Sequence, residues 1–101
     1  MIQTLAGCDK IHEEYDRYAN AHVQVGQLPA WMHVDGKVAW YVFQGPYSKL
    51  PEGWGEFMKK AQTSNAGEFA GPPGDVYACD PQDHKSNEQK MITILWAPLK
   101  P

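Results

Sequence analysis

The chain has 101 residues, with 9 Lys+Arg against 12 Asp+Glu, for a formal net charge of −3. That length holds one modest domain, and 43% apolar with 21% charged residues suits a packed core and not a disordered tail. A net acidic chain without a Lys/Arg cluster is poorly matched to nucleic acid, and its longest uncharged stretch, residues 18–34, is too often interrupted (Asn20, Gln24, Gly26, Gln27, Pro29) to span a membrane.

Leu5-Ala6-Gly7-Cys8 spells a lipoprotein cleavage box, but residues 1–4 leave no room for the basic and apolar regions such a signal needs. It reads as coincidence, and a cytoplasmic protein is expected. Cys8 and Cys79 match no metal or redox spacing, and no disulfide is expected between them.

The first predicted element is a helix over residues 9–21, where Ile11, Tyr15, Tyr18 and His22 fall on one face and Asp9 is placed to cap it. A short strand is expected near residues 22–25. Residues 30–34 and Lys37–Gln44 read as two strands joined at Asp35-Gly36, a two-residue hairpin signal. The second of these is apolar at every position from Val38 to Phe43, so both of its faces need cover.

A second helix starts at Pro51 and carries Trp54, Phe57, Met58 and Ala61 as an apolar stripe. Gly53 and Gly55 each cost about 1 kcal/mol in a helix interior, which points to a frayed first turn or to close approach of another part of the chain. Residues 63–74 form a loop. Residues 75–79 form a short strand ending at Asp80-Pro81, residues 82–89 a polar loop, and residues 90–97 a last strand stopped by Pro98.

The expected architecture is α+β: an antiparallel four-stranded sheet with a central helix packed on one face, plus an N-terminal helix. The central helix covers one face only. The other must meet the N-terminal helix, a second subunit or a ligand.

The run from Gly36 to Trp54, with its strand ending in Gly45-Pro46-Tyr47 and a helix following Leu50-Pro51, resembles the GyrI-like effector-binding family. Pro72-Pro73-Gly74-Asp75-Val76-Tyr77-Ala78-Cys79-Asp80-Pro81 is similar to that family's third strand, and Ile94-Leu95-Trp96-Ala97-Pro98-Leu99-Lys100 to its last. The likeness covers residues 27–101 as one strand-helix-strand-strand module, with residues 1–26 as a helical extension, in a single domain over 1–101. Family members usually carry two modules with the effector pocket between them. The resemblance therefore implies a homodimer that rebuilds the groove across a true twofold axis.

It also implies a pocket for bulky, often cationic, apolar ligands, with aromatic walls and buried carboxylates. The walls it points to are Trp40, Tyr47, Trp54, Tyr77 and Trp96. Trp40 and Tyr41 are neighbours on a strand and face opposite ways. The family's last-strand glutamate is replaced here by Ile94, with Thr93 beside it, so the candidate charge partners are Glu52, Glu56 and Asp75.

The expected function is non-catalytic binding of a bulky aromatic or lipophilic, in some cases cationic, small molecule, for sensing or sequestration. The alternatives are a small hydrolase of electrophilic xenobiotics in the same groove, with a carboxylate beside Tyr47 or Tyr77, and a protein–protein interaction module. His12, His22, His33 and His84 show no metal spacing; Asp80, Asp83 and Glu88 form no calcium loop; Ser48 starts a helix. No cofactor, metal, nucleic acid or membrane is expected as a partner.

Overall fold

The computed structural model describes residues 7–78 and 88–100. The two runs that are apolar on both faces form the centre of the sheet. Strand β2 (Lys37–Gln44) pairs antiparallel with β4 (Ile92–Pro98), so that Trp40 faces Trp96, Tyr41 faces Leu95 and Phe43 faces Thr93. Strand β1 (Gln24–Gln27) lies on the outer side of β2, and β3 (Gly74–Tyr77) on the outer side of β4. The order is β1-β2-β4-β3, antiparallel throughout.

Side-chain alternation divides the central strands into two cores. Val38, Val42, Ile92 and Ile94 point to one face, where Ile11 and Tyr15 of helix α1 (Gly7–Tyr15) and Leu28 and Met32 of the β1–β2 connection cover them. Ala39, Tyr41, Phe43, Leu95 and Ala97 point to the other, under Phe57 of helix α2 (Leu50–Thr63). The face away from α2 is the one covered by the N-terminal segment, the first of the three candidates for it. Among the described residues no helix is long and apolar enough to cross a membrane.

Helix α1 is shorter than its periodicity suggests. It passes into a 3-10 turn over Asp16–Tyr18, and Ala19 then turns extended and bridges to Val42. Ile11, Tyr15 and Tyr18 do share the buried face, whereas His22 is exposed, and Asp9 stands inside the helix and not at its cap.

The expected hairpin at Asp35-Gly36 does not form. Ala30–Met32 is a 3-10 turn following Pro29, and the partner of β2 is β1. Turning there buries Met32 and half-buries Trp31 against the α1-side core, which a solvent-edge strand would leave exposed. Strand β3 starts one residue earlier than expected. Lys90 belongs to a 3-10 turn (Glu88–Lys90), and Pro98 is the last residue of β4. The expected Asp80-Pro81 turn, the loop over 82–87, and Cys79 lie outside the described residues.

Candidate functional site

Helix α2 carries its sheet-facing row at Gly53, Phe57 and Ala61, all buried. Glu52, Glu56 and Lys60 repeat at i, i+4 and i+8 along one flank of that row; Trp54 and Met58 run along the other. The glycine in the buried row has a physical reason. A Cβ on Gly53 would lie 2.7 Å from Cδ1 of Phe43, so the helix backbone sits directly on that ring. The same ring lies where a Cβ on Gly45 would meet its Cζ at 3.1 Å.

Beside this contact a cleft of about 250 Å³ opens between the acidic flank of α2 and the segment leading into β1. Tyr41 and Phe43 supply aromatic lining, and Glu52, Gly53, Glu56, Lys60 and Asn20 complete it. Asn20, in a turn just after the Ala19–Val42 bridge, has a left-handed backbone (φ 54°) and is tied to the end of β2. Its N–H donates to Val42 O at 2.8 Å. Its Nδ2 donates to Gln44 O, and its Oδ1 accepts from Gln44 N, each at 3.1 Å. Lys60 Nζ donates to the carbonyls of Asn20 (3.0 Å) and Ala21 (2.7 Å) and lies 5.2 Å from the Tyr41 ring centroid. The ammonium thus holds α2 to the connector before β1.

Glu52 is exposed and reaches Lys49 Nζ at 3.8 Å. Glu56 forms no ion pair among the described residues. Tyr41 is only 2% exposed, and burial, with the Glu56 charge as a second cause, raises its phenol above the ordinary value of 10.0. The phenol is therefore neutral at physiological pH, a donor and not a phenolate.

The opposite flank of α2 carries a larger cavity, about 540 Å³, lined by Met58, Ala61, Gln62, Gly67, Glu68 and Phe69. The Phe69 ring stacks on Phe57 with centroids 5.9 Å apart, and Glu68 accepts from Lys100 Nζ at 3.4 Å. A third hollow of about 330 Å³, beside Ala21, His22, Val23, Thr63 and Ser64, shares Lys60 with the first.

The residues expected as ligand walls are spread over three places. Trp40 and Trp96 are cross-strand partners on the α1 side of the sheet. Tyr15 and Tyr18 meet the Trp40 ring edge-on, at 6.0 and 5.4 Å. The Trp96 ring lies across Gly74, whose added Cβ would fall 2.4 Å from Cζ2. Tyr47 and Tyr77 come together at 5.0 Å where β3 ends, with Tyr77 53% exposed, and Asp75 lies two residues before it on the same face. Trp54 packs on Phe57 at 5.8 Å, on the flank away from the acidic cleft. Of the candidate charge partners, Glu52 and Glu56 line that cleft together, and Asp75 does not join them.

No protein-family model, curated protein or solved structure matches the chain. The site therefore rests on its own geometry. Among the described residues no group of three His, Cys, Asp or Glu side chains is placed to hold a metal ion.

Of the lining residues, Tyr41 and Phe43 belong to the aromatic set of the sequence but not to the expected walls, and Asn20 and Lys60 carry no site signal of their own in the sequence. The i, i+4, i+8 recurrence of Glu52, Glu56 and Lys60 was the available signal for one wall. The side of β2 that faces α2 depends on how the strand and helix dock, and no local pattern encodes it.

Proposed function

We propose that this chain is a non-catalytic binding module for a small lipophilic cation, held in the cleft between β2 and the acidic flank of α2. The observation that carries this reading is the pairing of two carboxylates, Glu52 and Glu56, with the aromatic lining of Tyr41 and Phe43. Carboxylates at a rim attract a positive group, and aromatic surfaces add dispersion and cation–π attraction. The single ammonium in the lining, Lys60, is turned onto two carbonyls and not onto Glu56, which has no ion pair among the described residues, while Glu52 leans to Lys49. A volume near 250 Å³ suits the compact charged end of a ligand, with any bulk beyond it lying outside the cleft. The site is built within one chain and needs no second copy.

Calorimetric titration with 4-phenylbutylamine at pH 7 tests this. Saturable one-site binding is expected, weakened about fivefold or more by Glu56→Gln. Absence of saturation, or equal affinity in the variant, overturns the reading. A second reading, a neutral lipophilic ligand, is favoured by the larger cavity walled by Met58 and Phe69, where the one carboxylate, Glu68, already has a lysine partner.

A further inference from the structure

The polar groups around the acidic cleft are mostly committed to the protein. The Asn20 amide is used on both sides by Gln44. Two Lys60 hydrogens go to the carbonyls of Asn20 and Ala21, and Glu52 leans toward Lys49. Two groups remain without a partner among the described residues. One is the Glu56 carboxylate, an acceptor. The other is the Tyr41 hydroxyl, which belongs to a side chain 98% removed from solvent yet lining the cleft. That hydroxyl is not among the sealed polar atoms that lack a partner (Thr93 Oγ1 and Trp96 Nε1), so its oxygen still meets the cleft, where a ligand acceptor can take its proton in place of water.

From this pairing we infer that Tyr41 sets ligand specificity in the cleft: the preferred cation carries a hydrogen-bond acceptor oxygen close to its positive group. The positive group is met by Glu56 and the oxygen by the Tyr41 O–H. The class is that of amino ethers, amino esters and amino amides, as against plain alkyl- or arylalkylamines. Burial and the Glu56 charge keep the phenol protonated, so its donor role persists through the neutral range. The inference rests on the cation reading of the cleft and refines it.

The test uses two amines of equal length, 2-(benzyloxy)ethylamine and 4-phenylbutylamine, which differ by one ether oxygen in place of a methylene. They are titrated into the full chain at pH 7 by competition calorimetry. The wild type is expected to bind the ether about three- to tenfold more tightly, the range one hydrogen bond supplies. Tyr41→Phe is expected to bring that ratio to one or below, while Glu56→Gln weakens both amines and leaves the ratio standing. Equal affinities in the wild type, or a ratio that survives Tyr41→Phe, overturn the inference. If both amines bind equally well and Glu56→Gln still weakens them, Tyr41 loses its role and the cation site stands. If neither amine saturates, the two fall together. The wild-type ratio decides the matter even should Tyr41→Phe fail to fold.

Discussion

Two glycines two positions apart in α2 should respond to alanine with opposite signs. In an exposed helix interior, replacing Gly by Ala recovers about 1 kcal/mol of backbone entropy. An added Cβ at Gly55 meets nothing within 4 Å, so Gly55→Ala should raise stability by about 0.5–1 kcal/mol. At Gly53 the same methyl would stand 2.7 Å from Cδ1 and 3.0 Å from Cγ and Cε1 of Phe43. Those atoms sit near the root of the ring, which cannot swing away cheaply because its far side is against Gly45. Overpacking of this kind costs about 1–3 kcal/mol, enough to cancel or outweigh the helix gain. The pair should therefore differ by about 1–3 kcal/mol, with Gly53→Ala the less stable. In a domain of this size each kcal/mol moves the melting temperature by about 4–8 °C. Urea unfolding at constant slope, supported by thermal melts, measures the difference. Equal stabilisation by both substitutions would show that the helix does not rest on Phe43, and the cleft geometry built on that contact would fall with it.

Other positions make separate predictions. The hydroxyl of Thr93, which pairs across the sheet with Phe43 and Tyr77, is fully buried with no partner among the described residues, so Thr93→Val should raise stability by about 1 kcal/mol in urea unfolding. A loss would mean the hydroxyl is bonded. Asn20→Gly keeps the left-handed backbone but removes both side-chain bonds to Gln44; it should cost about 1–2 kcal/mol and speed hydrogen exchange at the Gln44 amide. Unchanged exchange there would refute the tie between the Asn20 side chain and Gln44. The phenols of Tyr15 and Tyr41 are both raised above 10.0, chiefly by burial, with neighbouring Glu charges second. Their protons are kept in the folded chain after the unfolded chain has released them, so this contribution is complete below pH 10 and is lost as pH rises through the folded values. Unfolding midpoints across the alkaline range should fall, and less steeply in Tyr15→Phe.

Much of the fold is legible along the chain because its centre is made of strongly patterned segments. Strands β2 and β4 are apolar on both faces, which marks them as central, and α2 announces itself by Pro51 and the Trp54–Phe57–Ala61 stripe. The misread parts are short segments whose apolar residues are claimed by distant partners. Trp31 and Met32 fill the α1-side core from a turn, and a run that short looks the same as a strand when only its composition is seen. Helix α1 stops early because Ala19 and Asn20 are worth more beside Val42 and Gln44 than in another helical turn. For the site, the acidic flank could be read from spacing alone. That Tyr41, and not Trp40, shares a side with Glu56 follows from which strand positions meet Phe57, a long-range fact.

The most direct measurement is a two-dimensional NMR titration of the full chain with 4-phenylbutylamine. Saturable shifts concentrated on the amides of Asn20, Gly53, Glu56 and Lys60, needing about fivefold or more ligand in Glu56→Gln, are the outcome predicted for a cation seated between β2 and α2. Shifts gathered instead around Met58, Gly67 and Phe69, or no saturable shifts at all, would contradict it.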